Sequence, residues 1–280
     1  MSERGKRLAA AVTQLTAGRP SGPAGSGDPE LRSLIEEPYT SPSDAHARLG
    51  ELRSYFETQD DRREVFLTIY ERVTGEVADR IDRGAFYDPD WVADYLTAFA
   101  NLYRRALYDY ETGNPDRLPD AWQLAFETAV DGSVMAVQDA VLGINAHINY
   151  DLAFALASVG IDPDRQAKYR DHRAVTEVLR GLVDETQTTL AREYTPGIEP
   201  LDEALGRVDE RTTVFTIDRC RESAWRNAVA MQSRFRVRRW VARRLTHATS
   251  AGIAHLVLSS GASLAVRAAV GEADPAAVEG

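Results

Sequence analysis

The sequence predicts an all-α fold: a single multi-helix, bundle-like domain with a buried central helix and a flexible N-terminal tail. Apolar residues recur with helical spacing over residues 61–83. Aspartate precedes proline at Asp88-Pro89 and Asp162-Pro163, a pairing that caps a helix and opens its first turn. No run of alternating apolar residues is bounded by hairpin signals. These patterns favour helices throughout the chain.

The predicted helices follow one another with short connections. Ser43 is expected to cap the first of them, and Asp131-Gly132-Ser133 predicts a break before the central helix. The prolines and glycine within 195–208 predict a loop. The expected helices span residues 43–58, 61–83, 88–110, 119–130, 134–158, 162–194, 212–246 and, with many small residues, 248–270.

Residues 1–40 are predicted to form a mobile N-terminal extension, and residues 41–270 an all-helical domain. The segment 17–30 is rich in Gly, Pro and Ser and has no apolar periodicity. The packed domain is therefore expected to begin near Leu31 or Ser41.

The sequence favours a cytoplasmic protein. No secretory signal is predicted, and the single cysteine, Cys220, excludes an internal disulfide framework and a Cys-based zinc site. Residues 248–270 are long enough to span a bilayer, but they include His255, Arg267 and several hydroxyl side chains. Integral membrane insertion is therefore not expected.

Charge is distributed unevenly along the chain. The net charge is -10, yet residues 223–271 contain eight arginines and no acidic residue, so that segment carries +8. The acidic total argues against general attraction to nucleic acid or anionic lipid. The Arg-rich segment 234–244, which includes Phe235 and Trp240, departs from this acidic character. We expect it to bind the acidic remainder of the chain, a protein partner or an anionic membrane rather than nucleic acid.

The central helix carries polar residues where burial is expected. Its middle reads GINAHINYDLAFAL over residues 143–156. At about 100° per residue, the polar groups separate onto nearly opposite sides of the helix. The amide stripe consists of Gln138, Asn145 and Asn149, and the His/Asp stripe consists of His147 and Asp151.

Small residues accompany the His/Asp stripe. Ala136, Ala140 and Gly143 share that side of the helix, which predicts the close approach of another helix or of a ligand. Burying unpartnered amides or a carboxylate costs on the order of 1–3 kcal/mol each, so all these polar groups are expected to have partners.

Two interpretations of the polar groups remain open at this point. They form a structural hydrogen-bond network that fixes helix register, or they line a pocket in which His147 acts as acid or base and Asp151 orients it. A metal site is not predicted, because the H-x-x-x-D spacing of His147 and Asp151 supplies only two ligands and no HExxH motif is present. Further ligands would have to come from residues that folding brings near this pair, namely Asp171, His172 or His255.

Further candidates for lining a ligand pocket are aromatic and polar residues near predicted helix starts. Trp122 opens one helix, and Trp225 follows Arg221 at a spacing that places both on one face, where the arginine could pair with an acid such as Asp151. The alternative is core packing by the tryptophans with a surface arginine. No glycine-rich nucleotide motif, P-loop, GxSxG or kinase signature is present, so neither a cofactor nor a reaction is indicated.

Four segments resemble a prokaryotic family of unknown function, domain-of-unknown-function family 5995. They are Tyr70-Glu71-Arg72-Val73-Thr74, Trp122-Gln123-Leu124-Ala125-Phe126, Gly143-Ile144-Asn145-Ala146-His147-Ile148-Asn149-Tyr150-Asp151-Leu152, and Ile217-Asp218-Arg219 with Ala224-Trp225. The resemblance spans roughly residues 45–230 and is most specific in the third segment. It implies a helical cytoplasmic domain and supplies no reaction, cofactor or catalytic residue.

The leading hypothesis is a helical protein with an internal polar pocket around His147 and Asp151 that binds or transforms a small molecule. Residues expected to line it are Trp122, Asn145, Asn149, Arg221 and Trp225. The alternative is a non-catalytic interaction module whose buried polar groups are structural and whose Arg-rich helix is the partner surface. The sequence leaves the oligomeric state open.

Overall fold

The computed structural model describes residues 27–194 and 217–259 and is all-α, as predicted, with no strand in those ranges. The elements are α1 Pro29–Ile35, α2 Pro42–Thr58, α3 Glu64–Asp82, α4 Pro89–Glu111, α5 Asp120–Asp131, α6 Ala136–Asn145, the π turn Ala146–Asp151, α7 Leu152–Val159, α8 Arg165–Tyr194, α9 Ile217–Met231 and α10 Arg236–Val257. The central helix consists of α6, the wider π turn and α7.

Side-chain caps explain several helix starts. The Asp88 carboxylate accepts from the backbone N–H of Trp91, with Pro89 in the first turn, as the sequence predicts. The helix predicted from Ser43 begins one residue earlier, because Ser41 is its cap and accepts from the N–H of Asp44. The break predicted after α5 is confirmed by a left-handed Gly132, with φ of 59°.

The start of α8 differs from the prediction. Asp162 does not cap it, and the helix begins at Arg165. Asp164 has a left-handed φ of 63°, so the helix cannot extend back through this residue. The carbonyl of Asp164 accepts the first backbone hydrogen bond of the helix, from the N–H of Lys168.

The prediction of one continuous helix over 212–246 is wrong, because α9 and α10 are separate helices. Phe235 is extended, with φ of −84° and ψ of 117°, and its N–H bonds to the Ser233 hydroxyl. At this break the side chain of Gln232 accepts from the N–H of Ile161 and donates to the carbonyl of Ala157. Helix α10 then continues through the boundary predicted near residue 247, and residues 260–270 lie outside the described part of the chain.

The boundary predicted at residue 40 is corrected by helix α1. Leu31 and Ile35 are fully buried in the main core, and Tyr39 packs beside them. The guanidinium of Arg104 donates to the carbonyls of Ile35 and Glu36, satisfying the end of α1. Of the two starts considered for the packed domain, the one near Leu31 is therefore observed.

The central helix lies between two apolar clusters. One joins α1 to α5 around Phe66, Tyr103 and Trp122, and the other joins α4, α7, α8 and α9 around Leu152 and Trp225. Helices α3, α4, α5, α9 and α10 all contact it, so its predicted burial is confirmed. Within the described ranges, no helix combines the length and apolar character that a bilayer crossing requires.

Candidate functional site

The polar stretch of the central helix coincides with the π turn. There the N–H of Leu152 bonds to the carbonyl of His147, five residues back, so one extra residue is accommodated in the turn. Such turns inside α-helices often occur at functional sites. Regular helical periodicity does not reveal this widening, so the π turn is not predictable from the sequence pattern.

His147, Asp151 and Trp122 form a buried hydrogen-bonded triad. The Oδ2 atom of Asp151 lies 3.1 Å from Nδ1 of His147 and accepts from Nε1 of Trp122 at 2.9 Å. All three side chains are buried. The predicted pairing of His147 with Asp151 is confirmed, whereas Asp151 pairs with Trp122 and not with Arg221.

Burial sets the protonation of the triad. It raises the pKa of Asp151, while the indole N–H of Trp122 opposes that rise by bonding to the carboxylate. Burial, reinforced by the nearby Arg221 cation, lowers the pKa of His147 well below its usual value. The imidazole is therefore neutral at pH 7, and we infer that Nδ1–H donates to Asp151 and leaves a lone pair on Nε2.

The Nε2 atom of His147 is buried without a hydrogen-bond partner among the described residues. The ring of His147 stacks on that of Phe99, with 3.5 Å between the centroids, and packs edge to face with the ring of Tyr70, with 4.3 Å between the centroids. A buried nitrogen left unpaired costs on the order of 1–3 kcal/mol, so this atom is one that the fold itself does not satisfy.

A cavity of about 60 Å³ lies beside His147. Its wall comes from α3, α4, α8, α9 and the central helix and is mostly aliphatic and aromatic. The basic side chains that line it are those of His147 and Arg221. The polar side chains of the wall are those of His147, Arg221, Tyr70 and Tyr95. A few polar groups in an apolar wall are typical of small-molecule sites, although such sites are usually larger.

Arg221 is fully buried and bonds to neutral oxygens. Its Nε donates to Oγ1 of Thr176 at 2.9 Å, and its Nη2 donates to the phenol of Tyr95 and the carbonyl of His172, both at 3.1 Å. Among the described residues, no carboxylate forms an ion pair with it. The alternative that placed this arginine on the surface is therefore wrong.

Trp225 does not line the cavity. Its ring packs on His172 at 5.2 Å and on Tyr169 at 5.1 Å, in the cluster between α8 and α9. Core packing, the alternative considered for this tryptophan, is what is observed. The sequence did not predict that aromatic residues, above all Tyr70 and Phe99, line the cavity. Their helical spacing is the same as that of ordinary core residues.

The amide stripe faces the other way and is structural. Asn145 donates to the carbonyl of Ser250 at 2.9 Å, Gln138 donates to that of Val257 at 3.1 Å, and Asn149 donates to the side chain of Asn145. The bonds to Ser250 and Val257 hold α10 against the central helix, and the bond from Asn149 fixes the amide of Asn145. The predicted separation of the two stripes is confirmed, and neither Asn145 nor Asn149 lines the cavity.

A helix, and not a ligand, approaches at Gly143. A Cβ there would lie 2.7 Å from two ring atoms of Phe66, a residue of α3 whose ring also packs against His147. The small residue therefore admits the aromatic side chain that closes one end of the triad.

The other residues considered as metal neighbours are engaged elsewhere. Asp171 accepts from the N–H groups of Tyr87 and Asp88, His172 lies against Arg221, and His255 is exposed on α10. Within the described ranges, no three His, Cys, Asp or Glu side chains are grouped as metal ligands would be.

A second buried carboxylate on the central helix, Asp139, predicts a pH-dependent stability. Its pKa is raised to about 6 by burial, against the opposing effect of Arg62, whose Nη2 lies 2.8 Å away. Because the folded-state pKa exceeds the unfolded value, the protonated form stabilises the fold below about pH 4, and this stability is lost as pH rises through about 6.

We therefore expect Asp139→Asn to raise the free energy of unfolding by about 1–3 kcal/mol at pH 7 and to leave it nearly unchanged at pH 4. Urea unfolding of both proteins across that range measures the difference. A difference that is constant with pH would contradict the raised pKa.

Comparison with known proteins gives one match. The family described as "Family of unknown function (DUF5995)" matches residues 43–260, which confirms the resemblance seen in the sequence. No curated protein and no solved structure matches the chain.

Proposed function

The chain belongs to the DUF5995 family, which supplies no reaction, and we propose from the site geometry that it binds a small molecule in the cavity beside His147. The unpaired Nε2 of His147 is the observation that carries this proposal. Its partner nitrogen is already held by Asp151, so Nε2 is free to accept a hydrogen bond from a ligand.

Arg221 supports a ligand with two kinds of polar group. A hydroxyl or amine hydrogen would meet Nε2 of His147, and an anionic or carbonyl oxygen would meet the guanidinium, whose charge is not balanced by a carboxylate among the described residues. A cavity of roughly 150 Å³ accommodates benzene. About 60 Å³ therefore limits the ligand to a few heavy atoms, with its apolar part against the aromatic wall.

The same arrangement orients the imidazole for a ligand hydroxyl. Asp151 holds Nδ1, so a ligand O–H can donate a hydrogen bond to Nε2 of the neutral ring. Trp122 holds the Asp151 side chain in place. The proposed role of His147 is thus that of a hydrogen-bond acceptor for a bound small molecule.

Glycolate tests the proposal, because it carries both a hydroxyl and a carboxylate on few atoms. We expect it to shift the ring-nitrogen resonances of His147 in a saturable manner, and to bind more tightly than acetate or ethanol, each of which lacks one group. Arg221→Met is expected to weaken glycolate binding at least about tenfold, since a charge-assisted hydrogen bond is lost.

The matched control is Arg104→Met, which removes a buried arginine that does not line the cavity. It should leave glycolate affinity unchanged. If glycolate, acetate and ethanol all leave the His147 resonances of the folded wild-type protein unmoved, the proposal is wrong, and the structural-network alternative is favoured.

A further inference from the structure

The first half of α10 and the residue before it expose large apolar side chains. Phe235 is 58% exposed, Val237 74% and Trp240 61%. Exposed apolar groups this close together on a soluble protein commonly mark an interaction surface. No residue of α10 lines the cavity beside His147, so this surface is independent of the proposed function.

The exposed apolar residues within α10 share one side of the helix, and Phe235, which precedes the helix, is not among them. At about 100° per residue they fall opposite Ala242 and Thr246, which are buried against the body of the molecule. We call them the outward stripe, and its members are Val237, Trp240, Val241 and Leu245. Arginines surround the stripe, at positions Arg236 and Arg243 on one edge, Arg238 on the other and Arg244 within it.

The charge beside the outward stripe is unbalanced. Residues 223–259 contain no acidic side chain. Within the described part of the chain, none of the arginines between 234 and 244 forms an ion pair with a carboxylate. Instead Arg244 lies over the Trp240 ring, at 5.8 Å, and Arg243 over that of Phe154, at 5.5 Å. Neutralisation by the chain's own acidic part, one of the predicted possibilities, is not observed among the described residues.

We propose that this helix face docks on an anionic membrane surface, with the outward stripe in the interface and the arginines on lipid phosphates and carboxylates. An apolar stripe bordered by basic residues, with a tryptophan among them, is the pattern of helices that lie in the plane of a membrane. Arginine stems also extend along apolar surface while their charged ends reach headgroups.

Two other occupants fit the same face less well. A second copy related by twofold symmetry would place arginines against arginines, and residues 223–259 contain no acidic side chain to offset the repulsion. Single-stranded nucleic acid would stack on Trp240 and bind the arginines, but it would leave Val237, Val241 and Leu245 without a partner.

Trp240 provides a direct probe. The chain has four tryptophans, and the other three, Trp91, Trp122 and Trp225, are at most 6% exposed. Vesicles containing about a third phosphatidylserine should shift the tryptophan emission to the blue and protect it from aqueous quencher, whereas phosphatidylcholine vesicles should not. Because the attraction is electrostatic, we expect the binding to weaken as salt is raised.

Charge-removing variants complete the test. The triple substitution Arg238→Gln, Arg243→Gln, Arg244→Gln is expected to weaken vesicle binding about 100-fold, at roughly fivefold per arginine near the surface. The control Arg83→Gln, Arg165→Gln changes exposed arginines outside α10 and should have little effect.

Four results would overturn the proposal: no co-sedimentation of the full-length protein with phosphatidylserine vesicles, binding that the triple variant retains, association between copies that Trp240→Ala abolishes, or salt-dependent binding of single-stranded DNA with no response to vesicles.

Discussion

Asp151→Ala is expected to lower the free energy of unfolding by about 3 kcal/mol, because two buried donors lose their acceptor at once. These donors are the indole N–H of Trp122 and Nδ1–H of His147, both bonded to Oδ2. Removing the buried carboxylate also removes its desolvation cost, which offsets part of this loss of stability. Urea unfolding at pH 7 measures the change.

Two variants make this result specific. Asp151→Asn keeps an acceptor oxygen at the same place and is expected to cost only about 1 kcal/mol. Asp94→Ala removes an exposed carboxylate from α4 and should change stability by less than about 0.5 kcal/mol. An Asp151→Ala protein as stable as the Asp94→Ala protein would contradict the hydrogen-bonded triad.

Gly143→Val is expected to cost about 3 kcal/mol by overpacking. Its Cβ would meet the Phe66 ring at 2.7 Å, and the ring cannot withdraw, because it is packed against Tyr70, Tyr103 and Trp122. Valine also brings two further methyl groups into the same place. Thermal and urea unfolding both report the loss.

Gly252→Val is the matched control, since Gly252 lies within helix α10 with no atom within 4 Å of a Cβ built there. Its effect should stay within about 0.5 kcal/mol. In a Phe66→Ala background the cost of Gly143→Val should fall markedly, because the clashing ring is absent. Equal costs in both backgrounds would show that the close approach of Phe66 is not the cause.

Much of the fold follows from local sequence signals. Helical periodicity placed α3 and the central helix within a few residues, and the glycine after α5 marked a true break. The division between α9 and α10 was missed because residues 232–235 contain neither glycine nor proline, the usual local signals of a break. The packing of α1 was missed because Leu31 is buried by residues far along the chain.

The candidate site was predictable in part. The helical wheel predicted that the His/Asp and amide stripes lie on opposite sides of the helix. The i, i+4 spacing predicted that His147 pairs with Asp151. The burial of Arg221 could not be predicted, because its partners Thr176 and Tyr95 come from two other helices. Nor could sequence reasoning choose between a network and a pocket, since that choice depends on which atoms remain unpaired after packing.

The two polar stripes lie on different sides of one helix and have different neighbours. The amide stripe fastens α10, while the His/Asp stripe holds an imidazole at a cavity. Arg221→Met removes the charge at the cavity, but it also leaves Thr176, Tyr95 and the carbonyl of His172 without their donor. Its free energy of unfolding is therefore measured beside its glycolate affinity.

The ring nitrogens of His147 test the central claim most directly. The chain has only five histidines, so a nitrogen-resolved NMR spectrum of histidine-labelled protein is readily assigned by substitution. The account predicts a neutral imidazole between about pH 6 and 8, with the proton on Nδ1 and an unprotonated Nε2 that glycolate shifts. A proton on Nε2, or a charged ring in this range, would contradict it.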